Sequence, residues 1–122
     1  MKLCCINIPT PDARQLANFY EKVLGANIDD SHGGPKRIEI WIGDKDDKTV
    51  LLVASQDTEY KKLKTTACQG FEFSVHDVNA EYERILALGV EVKESPKDLP
   101  WGYRFFNIKD PDGNGIDIVQ AL

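Results

Sequence analysis

Residues 101 to 122, WGYRFFNIKDPDGNGIDIVQAL, form the stretch on which the reading of the fold turns. Tyr103 to Ile108 is rich in aromatic and β-favouring residues, and Ile116 to Val119 is a second short run. Between them Asp110-Pro111-Asp112-Gly113-Asn114-Gly115 supplies turn chemistry: proline presets φ, glycine and asparagine tolerate positive φ, and aspartate bonds its own backbone. The stretch reads as a β-hairpin. Its second strand carries Asp117 inside an otherwise apolar run. A lone buried charge is too costly, so this carboxylate either faces a cleft or pairs with a cation such as Arg104 or Arg37.

Working back from the hairpin, the pattern ahead of it occurs twice. Residues 2 to 8 are strand-like, Thr10-Pro11-Asp12 starts a helix, and Leu16, Phe19, Tyr20, Val23 and Leu24 form its apolar stripe before Gly25 stops it. Short strands follow at 26–30, 38–42 and 49–54, the last two joined by a polar turn at 43–48. The second copy runs from a strand at 71–75 through a helix started by His76-Asp77, with Val78, Tyr82, Ile85 and Leu86 on one face and Gly89 as the stop. A strand at 90–93, a loop at 94–100 and the closing hairpin complete it. Asp12 and Asp77 stand 65 residues apart, and the turn residues Asp44 and Asp110 stand 66 apart. Internal duplication is the strongest organisational signal in the chain. Residues 1–54 form the first module, 55–68 a connector with a helical turn near 60–63, and 69–122 the second, all within one domain by length.

Composition bounds the function. The chain has 122 residues, 42% apolar and 29% charged, with a net charge of −5. That balance disfavours nucleic acid and anionic membrane, both of which call for basic surface. No apolar run approaches the roughly 18 residues of a membrane span, and the first eight residues read as too short for a signal peptide. Three cysteines, two of them adjacent at Cys4 and Cys5 and so expected on opposite faces of a strand, suit reduced thiols in the cytoplasm.

One helix covers only one face of a small sheet, so two such units would curve their sheets around a shared cleft with the helices outside. Strand alternation assigns the faces. Ile6, Ile8, Ile38, Ile40, Ile42, Phe71, Phe73, Val75, Phe106, Ile108, Ile116 and Ile118 go under the helices. Cys5, Asn7, Arg37, Glu39, Trp41, Glu72, Ser74, Phe105, Asn107 and Asp117 go to the cleft, with Leu51, Val53, Gly70 and Val119. A surface that is part apolar and furnished with a few polar groups suits a small organic ligand.

Two βαβββ modules, the helix end Phe19-Tyr20-Glu21-Lys22-Val23-Leu24-Gly25 and the hairpin Trp101-Gly102…Asp110-Pro111-Asp112-Gly113-Asn114 together resemble the vicinal oxygen chelate superfamily. That superfamily includes glyoxalase I, bleomycin-resistance proteins and extradiol dioxygenases. The resemblance implies an α+β fold, a curved mixed sheet around a cleft, and a homodimer. Its enzymes usually hold a divalent metal through His, Gln or Glu on the first and last strands of each module. Here those positions fall at Cys5, Gly70, Leu51 and Asp117. Glycine and leucine offer no ligand, and a thiol with one short carboxylate is a poor metal site.

The expectation is therefore a metal-free, cofactor-free binding protein of the bleomycin-resistance type. Glu39, Glu72 and Asp117 would favour a cationic or hydrogen-bond-donating guest. A metal-dependent lyase of the lactoylglutathione type or a dioxygenase is the alternative reading, and a partner-binding regulatory module a third. Plainer roles stand beside these: Cys5 as a small buried hydrophobe, His32 and His76 as solvent or capping residues, Trp41 and Phe105 as filler.

Overall fold

The computed structural model describes residues 1–43, 50–57 and 70–122. They run β1 (Ile6–Thr10), α1 (Ala13–Leu24), β2 (Asn27–Asp29), β3 (Arg37–Ile42), β4 (Val50–Gln56), β5 (Gly70–Ser74), α2 (Val78–Ala87), β6 (Lys97–Leu99), β7 (Tyr103–Lys109) and β8 (Gly115–Ala121). The expected order of strand, helix and three strands occurs twice, and the chain is α+β. The turn expected at 44–48 and the helical turn at 60–63 lie outside the described residues. Two compact units, Met1–Leu63 and Lys64–Leu122, each hold one four-stranded sheet and one helix. Their strand orders correspond, β1-β4-β3-β2 and β5-β8-β7-β6. In each, the first strand joins the last in parallel and the remaining pairs are antiparallel.

Local chemistry sets the helix ends. Asp12 caps α1 by accepting the Gln15 N–H at 3.0 Å, and Asp77 caps α2 by accepting the Asn79 and Ala80 N–H groups at 3.0 Å. Gly25 closes α1 at φ 68°, a left-handed conformation that favours glycine. α1 buries Leu16, Tyr20 and Val23 over β3 and β4, against Ile38, Ile40, Leu52 and Ala54. α2 buries Val78 and Ile85 over β7 and β8, and the Tyr82 ring meets Phe106 edge-on at 5.5 Å.

The helix-facing isoleucines largely behave as alternation expects. Ile8, Ile38, Ile40, Phe106, Ile108, Ile116 and Ile118 are buried. Ile6 is 37% exposed, on the first residue of an edge strand, and Ile42 is half-buried. Phe71, Phe73 and Val75 are half-buried, because α2 sits over β7 and β8 and leaves the edge strand β5 less covered. Leu86, expected in the α2 stripe, is 38% exposed.

Two strand expectations are corrected. β1 begins at Ile6, so Cys4 and Cys5 precede it and do not alternate across a strand. Residues 90–93 form no strand; the edge strand is Lys97–Leu99, inside the expected loop. Its position is set by the turn through Trp101 and Gly102, where Gly102 at φ 91° donates its N–H to the Leu99 carbonyl at 3.2 Å. That turn faces Leu99 with Tyr103 and Lys97 with Phe105.

The closing hairpin is held from inside. Asp110, 4% exposed, accepts the Asp112 and Asn114 N–H groups through Oδ1 at 3.0 and 2.9 Å, and the Asn114 side-chain amide through Oδ2 at 2.7 Å. Removing the acceptor would strand those donors. Asp110→Ala is therefore expected to cost about 2–3 kcal/mol in urea unfolding, and Asp110→Asn, which keeps one acceptor oxygen, measurably less.

A second prediction concerns β6. Arg104 grips its cross-strand partner Asp98 with two bonds, Nε to Oδ1 at 2.6 Å and Nη2 to Oδ2 at 3.1 Å, and this holds the Asp98 carboxyl below the usual aspartate range. A depressed folded-state value stabilises above the unfolded one and is lost as pH falls through the folded one. Below about pH 4, wild-type stability is thus expected to fall more steeply than that of Asp98→Asn in urea titrations at stepped pH.

Candidate functional site

The face of each sheet turned away from its helix carries the polar side chains, and strand register decides which of them meet. In the second unit Glu72, Asp117 and Asn107 form one lateral row across β5, β8 and β7. Asn107 Nδ2 donates to Asp117 Oδ1 at 2.7 Å and to the Ile116 carbonyl at 3.3 Å. Asp117 is thus partnered by an amide. The guanidinium groups considered for it are engaged elsewhere, Arg104 with Asp98 and Arg37 with Glu39. The next row is Ser74, Val119, Phe105 and Lys97, with the Lys97 ammonium 5.6 Å from the centre of the Phe105 ring.

A cavity of about 420 Å³ opens beside these rows, between β7 and the segment from Val90 to Lys97. Phe105 and Asn107 are the two predicted site residues that line it. Lys93, Lys97 and Lys109 also line it, and the sequence reading missed all three. The sequence reads as a strand at 90–93 and a loop at 94–100, whereas the strand is Lys97–Leu99; the Pro100–Gly102 turn is the signal for the strand ahead of it.

In the first unit Arg37, Glu39 and Trp41 lie two apart on β3 and so share a face. Glu39 accepts from Arg37 Nη1 and from Trp41 Nε1, both at 3.3 Å. His32, read as a solvent or capping residue, is 67% exposed and stands with Nδ1 3.6 Å from Asp29 and 3.8 Å from Glu39. The facing atoms of these three residues all lie within 4.8 Å of one another. Ser31 hydrogen bonds, from Oγ at 2.6 Å and N at 2.9 Å, hold the Asp29 carboxyl below its usual range. The bend that brings His32 back depends on Gly34, since a Cβ there would sit 2.5 Å from the Asp30 carbonyl oxygen. Asn7 accepts the Ser55 hydroxyl at 2.6 Å and lies in register with Val53. Partial burial, then a hydrogen bond with the Cys4 thiol, pushes the Cys5 thiol up, the opposite of what a nucleophile or metal thiolate needs.

Register also revises which positions of the two units correspond. Asp117 lies beside Glu72 on the parallel first strand, just as Val53 lies beside Asn7. The counterpart of Asp117 is therefore Val53, not Leu51. More chain separates the paired residues Glu39 and Val53 than separates Asn107 and Asp117. The corresponding side chains are Asn7 and Val53 in one unit and Glu72 and Asp117 in the other. Each pair by itself, two carboxylates in the second unit and in the first an amide oxygen bonded to Ser55 beside a valine, falls short of the three or more convergent donors that a resident catalytic metal needs.

The comparisons with known proteins agree with this architecture. A virulence protein of Salmonella typhimurium superposes with a TM-score of 0.75 at 21% identity, over 100% of this chain and 98% of that one. A glyoxalase/bleomycin resistance protein/dioxygenase from Nocardioides gives 0.74 at 18%, over 100% and 85%. TioX from a Micromonospora species gives 0.70 at 15%, over 99% and 97%. At such identities the likeness is one of fold. No curated protein sequence matches. The sequence pattern of the glyoxalase/bleomycin resistance protein/dioxygenase superfamily matches residues 2–118, and the chain belongs to that superfamily.

Proposed function

We propose that this protein binds a small organic cation or hydrogen-bond donor without a metal, as a sequestering protein rather than an enzyme. The observation that carries the reading is the lateral pair Glu72 and Asp117. Neighbouring strands run about 4.8 Å apart, so these like charges are adjacent on one helix-free face, an arrangement that costs stability unless something neutralises it. Among the described residues no lysine or arginine bridges them. A guest bearing an ammonium, amidinium or guanidinium group would relieve the repulsion, and Asn107 holds Asp117 ready to meet it. The second row adds apolar contact through Phe105 and Val119. A cytoplasmic homodimer remains part of the proposal on family resemblance.

The metal-dependent lyase or dioxygenase reading has less support, because neither Asn7 with Val53 nor Glu72 with Asp117 supplies three metal-binding side chains within its own unit. The protonated Cys5 thiol likewise offers little to covalent catalysis.

Two outcomes follow. Aromatic amidines, of which benzamidine is the simplest, are expected to raise the melting temperature, and the shift should persist in EDTA and vanish in Glu72→Gln/Asp117→Asn. A shift that EDTA abolishes and zinc or manganese restores would contradict the metal-free reading. Without ligand, Glu72→Gln is expected to be more stable than wild type by roughly 0.2–1 kcal/mol in urea unfolding, since it removes one of two adjacent like charges.

A further inference from the structure

The 420 Å³ cavity of the second unit has polar equipment distinct from the carboxylate row, and part of it is backbone. The Val75 N–H bonds the Val119 carbonyl at 2.8 Å, so Val119 turns its backbone groups toward β5. Alternation then turns Ile116, Ile118 and Gln120 toward β7, where they face Ile108, Phe106 and Arg104. The Leu122 N–H to Gly102 carbonyl bond at 2.9 Å belongs to the same set. Phe105, Asn107 and Lys109 must therefore direct their N–H and C=O groups away from β8. β6 takes up Phe105 through Lys97 and begins there, so it does not reach Asn107 or Lys109. Among the described residues no strand or loop backbone pairs with these groups, which form an open sheet edge, and both residues line the cavity.

A sheet edge recognises a group that presents an N–H and an acceptor oxygen at the spacing of one extended residue. The charges around it select further. Lys97 is paired with Glu94 at 2.7 Å, and the Asp110 oxygens are taken by the turn. Lys93 and Lys109 make no ion pair among the described residues, and Glu91 is the remaining lining carboxylate. The lining holds three lysines and three carboxylates; with Glu94 paired to Lys97 and Asp110 buried in the turn, the exposed charges unpaired among the described residues are Lys93 and Lys109 against Glu91. Phe105 and Val90 supply apolar wall.

We propose that this cavity is a binding site for an N-acyl amino acid, an anionic molecule whose amide N–H and carboxylate belong to one residue. The amide N–H donates to the Asn107 carbonyl, and one carboxylate oxygen accepts the Asn107 N–H. The second carboxylate oxygen meets Lys93 and Lys109, and the acyl group lies against Phe105. The site uses the outer edge of β7, not the Glu72–Asp117 pair.

The test is titration of the ¹⁵N-labelled full chain with N-benzoylglycine, its N-methyl analogue and its methyl ester. Binding of the parent is expected to move the Asn107 and Lys109 backbone amide resonances most. Affinity should drop about tenfold or more for either analogue and for Lys93→Ala/Lys109→Ala, as loss of a charge-assisted hydrogen bond requires. Both lysines are exposed, and the spectrum of the double variant reports its fold directly. Equal affinity for the N-methyl analogue, shifts centred on Glu72 and Ser74, or no shift at millimolar parent would each overturn the assignment. Benzamidine scores the Glu72–Asp117 pair separately: the two sites share the Phe105 ring but not their charged groups, so either can fail without the other.

Discussion

The buried carboxylate of Asp110 is the constraint from which the second unit follows. It gathers two backbone N–H groups and one side-chain amide into a single turn, and that turn aligns Asn107 with Asp117. Side chains along a strand alternate with a period of two, so a slip of one residue would exchange the faces. Asp117 would then go under α2 and Ile118 into water. The apolar stack of Ile108, Ile116, Phe106 and Ile118 resists that slip from one side, and the turn resists it from the other.

Once the register is set, chemistry follows from position. Parallel pairing puts Glu72 against Asp117, and antiparallel pairing puts Asn107 on its other flank. The short β6 leaves half of the β7 edge uncovered, and the chain from Val90 to Lys97 walls off a cavity there instead of a fourth full-length strand. The first unit uses the same topology for other ends. Its equivalent positions hold Asn7 and Val53, and its charges gather around Glu39, satisfied by Arg37 and Trp41. The two units share a topology and an apolar helix-facing side and differ in their polar faces.

Much of this was legible in the residues. Asp12, Gly25 and Asp77 announce helix ends by capping chemistry, and the Asp110–Gly115 turn announces the hairpin. The 65-residue echo between the two capping aspartates announces the duplication. What was not legible has specific causes. β6 is three residues long and is defined by the partner it pairs with, so neither its composition nor its period marks it. The match of Leu51 to Asp117 assumed that both hairpins are equally long, and only the pairing shows that they are not. His32, Asp29 and Glu39 meet because a turn folds back, which linear spacing does not encode. The Lys93 and Lys109 mouth arises from an edge left open, a property of the sheet and not of any motif.

The register of β7 on β8 is therefore the point on which both proposed binding surfaces rest, and one measurement addresses it directly. Asn107–Asp117 and Phe105–Val119 are non-hydrogen-bonded antiparallel pairs, whose Cα atoms approach to about 4.5 Å with their α-protons facing. A ¹³C-edited NOE spectrum of the full chain should show strong Hα–Hα cross-peaks for those two pairs. Cross-peaks instead joining Asn107 to Ile116 or Ile118 would place Asp117 on the other face, and the account would be wrong.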